Sequence, residues 1–338
     1  MSLLSLFMAN ILASERCKLR LETAIGPLTF VGVSRAGSGT AIACPDLKLQ
    51  LDAGMNVHDF HPDAVFVTHC HADHSFRLTH FVSRSKPPIF FMPEEMVEAA
   101  ENFLFHSQVL SNGEPMSKDQ YETNHKTQSV RPGETLQKFV RQKHVYAEVI
   151  RCVHRAPCVG YVFGSRVSKL AAHLVGAPKD EIARRAQAGE KVTEEREQLL
   201  FGFMGDTTAE VFTPSEPAED GGENQKPTGS LVPFLERGLP ALFVECSFLL
   251  EEEMPNARKT GHMHYSELKP VLLQYPDTTF ILTHFSRRYS FGFVRDFFAK
   301  ERENTEGGLQ NVKLFIAPDD PNGFPVHDLD ANCTKWLR

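Results

Sequence analysis

At 338 residues the chain can bury a large core, in one big domain or two ordinary ones, and its composition is that of a globular protein. Its formal charge of -7 supplies no global basic footprint, so a nucleic-acid partner would have to be held by a local patch. The seven cysteines, at 17, 44, 70, 152, 158, 246 and 333, show neither CxxC pairing nor framework spacing and read as thiols in a reducing compartment.

The opening MSLLSLFMANILASER is apolar but has no basic n-region and is too short to span a bilayer, so it reads as a docked or frayed terminal helix. Residues 1–25 are expected to form an N-terminal extension, and no later window reaches membrane-spanning length. From Leu19 strands alternate with turns: LRLETAI, PLTFVGV, the glycine-rich RAGSG, TAIAC, LKLQLDAG and then DAVFVTH. PEEMVEAAENFLFHSQVL opens with proline and two acids and continues at helical spacing. KHVYAEVIRCVH and VGYVFGSRV are strands again, 178–200 is charged and helical or mobile, and LLFGFMGD is a further strand. Residues 213–230, rich in Pro, Gly and Glu, read as a disordered surface loop. PALFVECSF and TTFILTHF are buried strands with the helix SELKPVLLQY between them. No linker separates two cores, so one α/β domain with insertions is expected.

Chemistry concentrates in THCHADH, directly after the β-branched run AVFV. In an extended segment i and i+2 project to one side, so His69, His71 and Asp73 converge, and His74 follows on the turn. Imidazoles and a carboxylate are the ligand set for zinc and similar divalent ions, and four within six positions exceed what one catalytic metal takes. Two adjacent metals would use them all. Further polar side chains stop hydrophobic runs at His154, Asp206 and His284, where a rigid sheet presents ligands on one rim.

THCHADH resembles the signature of the metallo-β-lactamase fold superfamily. HRAPCVGYVF, GDT, ECSF with GH downstream, and LTHFSRRY narrow the resemblance to RNase Z, the tRNA 3′-processing endonuclease family. The resemblance implies a four-layered αβ/βα sandwich over residues 26–338, with an arm-like insertion at 165–200 and the metals in a cleft along one rim. It implies one metal on His69, His71 and His154 and a second on Asp73, His74 and His284, with Asp206 bridging. Two Zn2+ are expected, with Mn2+ as the alternative. Asp73 would also orient or deprotonate the attacking water, while Glu245 and His262 match the family's acid pair. Arg288 stands where the family has its arginine and would hold a phosphate, although two exposed arginines explain Arg287 and Arg288 nearly as well. The glycine-rich RAGSG could offer backbone N–H groups to an anion.

The resemblance further implies a tRNA precursor as partner and a homodimer. The lack of a spanning window and the cysteine usage lead to the expectation of no membrane association and an intracellular setting, cytoplasmic, with nucleus and mitochondrion as alternatives. Three departures bear on substrate. AGMNVHD replaces the family's GEGTQ after the Asp-x-Gly turn, and HMH at 262–264 replaces His-Ser-Thr. The arm segment lacks Gly-Pro and carries five Lys or Arg against six Asp or Glu over 178–200, a balance expected to grip RNA weakly. Competing readings are hydrolysis of a small ester, thioester or phosphodiester, and a non-catalytic, metal-stabilised binding protein.

Overall fold

Burial along the strands alternates where one face meets water and is continuous where both faces are covered. The computed structural model describes residues 17–317 apart from 58–59, 83, 122–123, 138, 140–143 and 215–228. In its first sheet, β1 (Cys17–Thr23), β2 (Gly26–Arg35), β3 (Gly39–Cys44), β4 (Leu49–Leu51), β5 (Ala64–Phe66), β6 (Ile89–Pro93) and β7 (Lys126–Val130) lie side by side in chain order. The second sheet holds β8 (Thr135–Gln137), β9 (Val145–Arg151), β10 (Val159–Leu170), β11 (Thr193–Phe203), β12 (Ala241–Glu245), β13 (Thr279–Thr283) and β14 (Val312–Leu314), again in order. Each sheet starts with four antiparallel strands and ends with parallel ones. The expected extension overlaps this fold: Cys17–Thr23 pairs along its whole length with β2, and residues 1–16 lie outside the described residues.

The helices are α1 (Ala72–Ser75), α2 (Thr79–Val82), α3 (Val97–Asn112), α4 (Lys179–Gln187), α5 (Val232–Glu236), α6 (Met254–Thr260), α7 (Tyr265–Gln274) and α8 (Phe291–Asn304). Alternate residues of the central strands sort them into layers. Phe66, Phe91, Phe243 and Ile281 point into a core between the sheets, where Phe30 meets Phe201 at 4.8 Å and Phe66 meets Phe163 at 5.0 Å between ring centroids. Val65, Val67, Phe90 and Met92 point the other way, onto Leu78 just before α2, Phe81 of α2 and Ala100 and Leu104 of α3. Leu242, Val244, Phe280 and Leu282 pack on Leu268 and Leu272 of α7 and Val294 and Phe298 of α8. The architecture is therefore the expected four-layered αβ/βα sandwich, and no helix among the described residues is long and apolar enough to cross a membrane.

Three local differences have physical causes. Pro93 and the acids after it do not open a helix: Pro93 ends β6 opposite Val130, Glu94–Met96 form a 3-10 turn, and α3 follows until Gly113 at φ 72 stops it. Within 178–200 only Lys179–Gln187 is helical, and β11 begins at Thr193 rather than Leu199. Thr193–Gln198 bury little, so pairing with Ser165–Leu170, rather than an apolar face, makes them a strand, and the two form a hairpin reaching beyond the sheet. The helix α8 is not among the expected elements; its signal is Ser290, whose hydroxyl caps it by accepting from the Phe293 N–H. Of the expected loop at 213–230, residues 215–228 lie outside the described residues.

Candidate metal centre

Parallel strands of both sheets end on one rim, and the polar residues that stop them meet there. On the first side, β5 runs into Thr68 and His69, the chain turns at His71, and α1 carries Asp73 and His74. The Asp-Ala-Gly turn after β4 packs beneath α1: Ala53 N–H donates to the His74 carbonyl at 2.7 Å, and a Cβ on Gly54 would lie 1.8 Å from the Asp73 carbonyl oxygen. Only glycine permits that approach. On the second side, His154 follows β9, Asp206 follows β11, Glu245 ends β12 and His284 follows β13. His284 at φ 58 and Asp52 at φ 55 are non-glycine residues in the left-handed region, strain that tertiary contacts must hold.

The seven expected ligands come together in two groups, and a third, of Asp206, Glu245, His262 and His284, overlaps both. Ligand atoms of His69, His71, His154 and Asp206 lie within 4.8 Å of one another, as do those of Asp73, His74 and His284. His71 Nδ1 is 3.1 Å from His69 Nε2 and 3.3 Å from His154 Nε2. His284 Nε2 is 3.1 Å from His74 Nε2 and 3.5 Å from Asp73 Oδ2. Asp206 stands between the groups, with Oδ2 3.6 Å from His69 Nε2 and Oδ1 3.4 Å from His74 Nε2 and 3.5 Å from His284 Nε2.

The outer ring nitrogens fix which tautomers face inward. His154 Nδ1–H donates to the Gly261 carbonyl at 2.7 Å and His74 Nδ1–H to Asp52 Oδ2 at 2.7 Å. Thr68 gives its hydroxyl proton to Asp52 and so accepts from His69 Nδ1–H at 3.1 Å. Ser247 gives its proton to Glu245 and accepts from His284 Nδ1–H at 3.1 Å. Four imidazoles thus turn their Nε2 atoms into one small space, assigned from their partners, and no single proton satisfies four converging nitrogens. A divalent cation does, and outer-nitrogen hydrogen bonds of this kind orient metal-bound histidines.

Electrostatics point the same way. Burial first, then His74, holds the His69 ring far below the usual imidazole range, so it is neutral. At His74 burial pulls down, but Asp206 and then Asp52 outweigh it and lift the ring to about 10. Three carboxylates around one imidazole demand positive charge, from a proton or from a cation that displaces it. Burial works to raise Asp206, yet the surrounding imidazoles, His284 first, carry it below the ordinary carboxylate range.

Beside this centre, Glu245 accepts from Thr207 N–H at 2.8 Å, from Ser247 and from His262 Nδ1–H at 2.8 Å. Burial would lower His262, but Glu245 outweighs it and raises the ring to about 9. His262 Nδ1 also lies 3.8 Å from Asp206 Oδ2, so a cationic donor stands at the edge of the cluster. Arg288 is exposed, and its Nη1 donates to Glu253 Oε1 at 3.0 Å. The RAGSG turn does offer a backbone N–H to an anion, but an internal one: Gly37 N–H donates to Asp73 Oδ2 at 2.6 Å.

Residues 46–146 match the model of the Metallo-beta-lactamase superfamily. Over these residues the chain carries a metallo-beta-lactamase domain. It is similar to an Arabidopsis thaliana tRNase Z, 26% identical over 273 residues, which covers 78% of this chain and 88% of the relative. A second, chloroplastic tRNase Z of the same plant is also 26% identical, over 78% of this chain and 69% of its own length. A nuclear ribonuclease Z of Triticum aestivum is 28% identical over 53% of this chain and 97% of its own. A solved structure of a short-form human tRNase Z aligns with 89% of this chain and 95% of its own at 16% identity, with a TM-score of 0.44.

Two residues of the HMH departure turn away from the centre. Met263 is fully buried in the core on the helix side of the second sheet. His264 caps α7: its Nδ1 accepts from Ser266 N–H at 3.2 Å while Nε2–H donates to the Leu250 carbonyl at 2.9 Å. Asp52, Thr68 and Ser247, which set the tautomers, are functional positions that sequence reading does not single out. Asp52 alone carries a usable signal, since it stops the apolar run LKLQL as Asp206 stops LLFGF.

Proposed function

We propose that the chain is a metal-dependent phosphodiesterase of the RNase Z kind, an endoribonuclease that removes the 3′ trailer from tRNA precursors. The carrying observation is the Glu245–His262 pair at 2.8 Å, beside Asp206, with the names of the similar relatives in support. A ribose oxygen leaves poorly without a proton, whereas the thiolate of a thioester needs none, so a built cationic donor favours a phosphodiester over the thioester reading.

His69, His71 and His154 would hold one divalent cation and Asp73, His74 and His284 the other, with one Asp206 oxygen toward each. Two such cations, expected to be zinc, would polarise the scissile phosphate and acidify a water between them. Asp73, held by Gly37 N–H, would orient or deprotonate that water. His262 would give a proton to the departing ribose oxygen, and Glu245 would keep it in the right tautomer and charge state. The hairpin of β10 and β11 with α4 at its tip is the arm of this reading. Three of its seven cations over 165–200 are paired internally, Arg185 with Glu181 and Glu190, Arg166 with Glu197 and Arg196 with Glu194, and with six acids on the same segment this leaves a weak electrostatic grip on RNA. The same reading includes a homodimer working inside the cell.

The test is a processing assay with an intact tRNA precursor beside bis-p-nitrophenyl phosphate and a thioester. Trailer release with a 3′-hydroxyl, abolished by a chelator and by Asp73→Ala, is the expected result. Turnover of the small phosphodiester alone would remove tRNA from the reading. Turnover of the thioester alone, or bound metal with no turnover of any ester, would overturn it.

A further inference from the structure

The segment after His284 carries two arginines, and their surroundings differ. Arg288 is committed to Glu253, itself only 11% exposed at its side chain, and lies 5.9 Å over the Phe248 ring. Arg287 has no carboxylate within ion-pair distance among the described residues. Its Nε and Nη2 lie 3.8 Å and its Cζ 3.9 Å from where a Cβ on Gly37 would be, so the guanidinium rests flat against the Gly37 turn. That turn is the one whose N–H holds Asp73. The two segments are fastened together by Ala36 N–H donating to the Phe285 carbonyl at 3.3 Å.

A second guanidinium is fixed close by. Arg35 donates through Nη2 to the Tyr289 carbonyl and stacks 4.7 Å over the Phe291 ring, while its Nη1 is buried without a hydrogen-bond partner. Burial first, and then the charge of Arg287, depresses the Arg35 pKa, so the two cations sense each other. Adjacent like charges are costly unless an anion joins them. Arg287 is exposed, and the turn it rests on reaches the rim through the Gly37 N–H bond to Asp73.

Building on the phosphodiesterase reading, we propose that Arg287, backed by the fixed charge of Arg35, is the residue that grips a phosphate of the substrate beside Asp73, while Arg288 serves to anchor its segment to Glu253. The test compares Arg287→Ala, Arg287→Lys and Arg288→Ala in the full chain, by kinetics on bis-p-nitrophenyl phosphate and by calorimetric titration with inorganic phosphate. Losing a charge-assisted fork should raise KM and the phosphate Kd of Arg287→Ala roughly 10- to 100-fold with kcat changed far less. Arg287→Lys should recover part of the loss, and Arg288→Ala should act mainly on Tm. Unaltered phosphate binding in Arg287→Ala, or a larger binding loss in Arg288→Ala, overturns the assignment. If the wild type hydrolyses no phosphodiester, the functional reading fails on its own, and the phosphate titration still decides between the arginines.

Discussion

Asp52 controls the centre without being one of the seven ligands. Its carboxylate accepts from the Thr68 backbone and hydroxyl through Oδ1 and from His74 Nδ1–H through Oδ2. In Asp52→Asn, the amide oxygen can still serve Thr68, but the NH2 then faces His74 Nδ1 and makes it an acceptor. The ring proton moves to Nε2, where it points at Asp206 and His284. Metal affinity should fall about 10- to 100-fold, as for other changes behind a metal-bound histidine, and equilibrium dialysis with elemental analysis measures it. His262 admits a different test. His262→Ala should slow RNA cleavage by about 10²- to 10⁴-fold, yet barely affect a p-nitrophenyl ester, whose leaving group needs no proton. Equal losses on both substrates would deny it the role of proton donor. All seven expected ligands were readable because each breaks an apolar run or crowds beside another. Thr68 and Ser247 were not, because a short hydroxyl at a strand end acquires its role only from the ring that folding brings to it.

At the scale of elements, α3 is tied to the edge of the first sheet by Glu101, which accepts from the His125 ring at 3.0 Å and from the Thr127 hydroxyl. The hydrogen bond from His125, opposed by burial, lowers the Glu101 pKa from its ordinary 4.5. A depressed carboxylate contributes stability above its unfolded pKa and loses it as pH falls through the folded value. Glu101→Gln should therefore lower Tm at pH 7, with the gap to wild type closing below about pH 4.5. The hairpin arm can be cut independently. Its strands pair last at Leu170 and Thr193, so replacing 171–192 with an Asn-Gly turn should leave the two-sheet core folded. Turnover of a small phosphodiester should persist while kcat/KM for the tRNA precursor drops. The apolar strands were legible because burial writes their pattern. The charged start of β11 was not, since its only cause is a partner strand some 30 residues away in sequence.

The whole molecule is two sheets of one plan whose parallel strands deliver polar ends to a common rim. His69, His71, Asp73 and His74 belong to the first half, and His154, Asp206 and His284 to the second. Between the halves the core is apolar and needs no metal, as the packing of Phe30 on Phe201 and Phe66 on Phe163 shows. At the rim, inward lone pairs and carboxylates repel one another unless cations lie among them. A cation there would take ligands from both halves and would be absent from the unfolded chain, so its binding energy would become folding energy. Saturation at a hundred times Kd stabilises by about 2.7 kcal/mol, and the gain grows with the logarithm of free metal. Chelation should therefore lower Tm by several degrees without unfolding the chain at 25 °C, and added zinc should restore it in a concentration-dependent way. Asp206→Asn, which weakens the link shared by both groups, should flatten that dependence, and because the imidazoles around Asp206 hold its carboxylate below the ordinary range, the metal-free Tm should fall as well. A wild-type Tm indifferent to both chelator and zinc would mean that the rim is held by protons and hydrogen bonds alone.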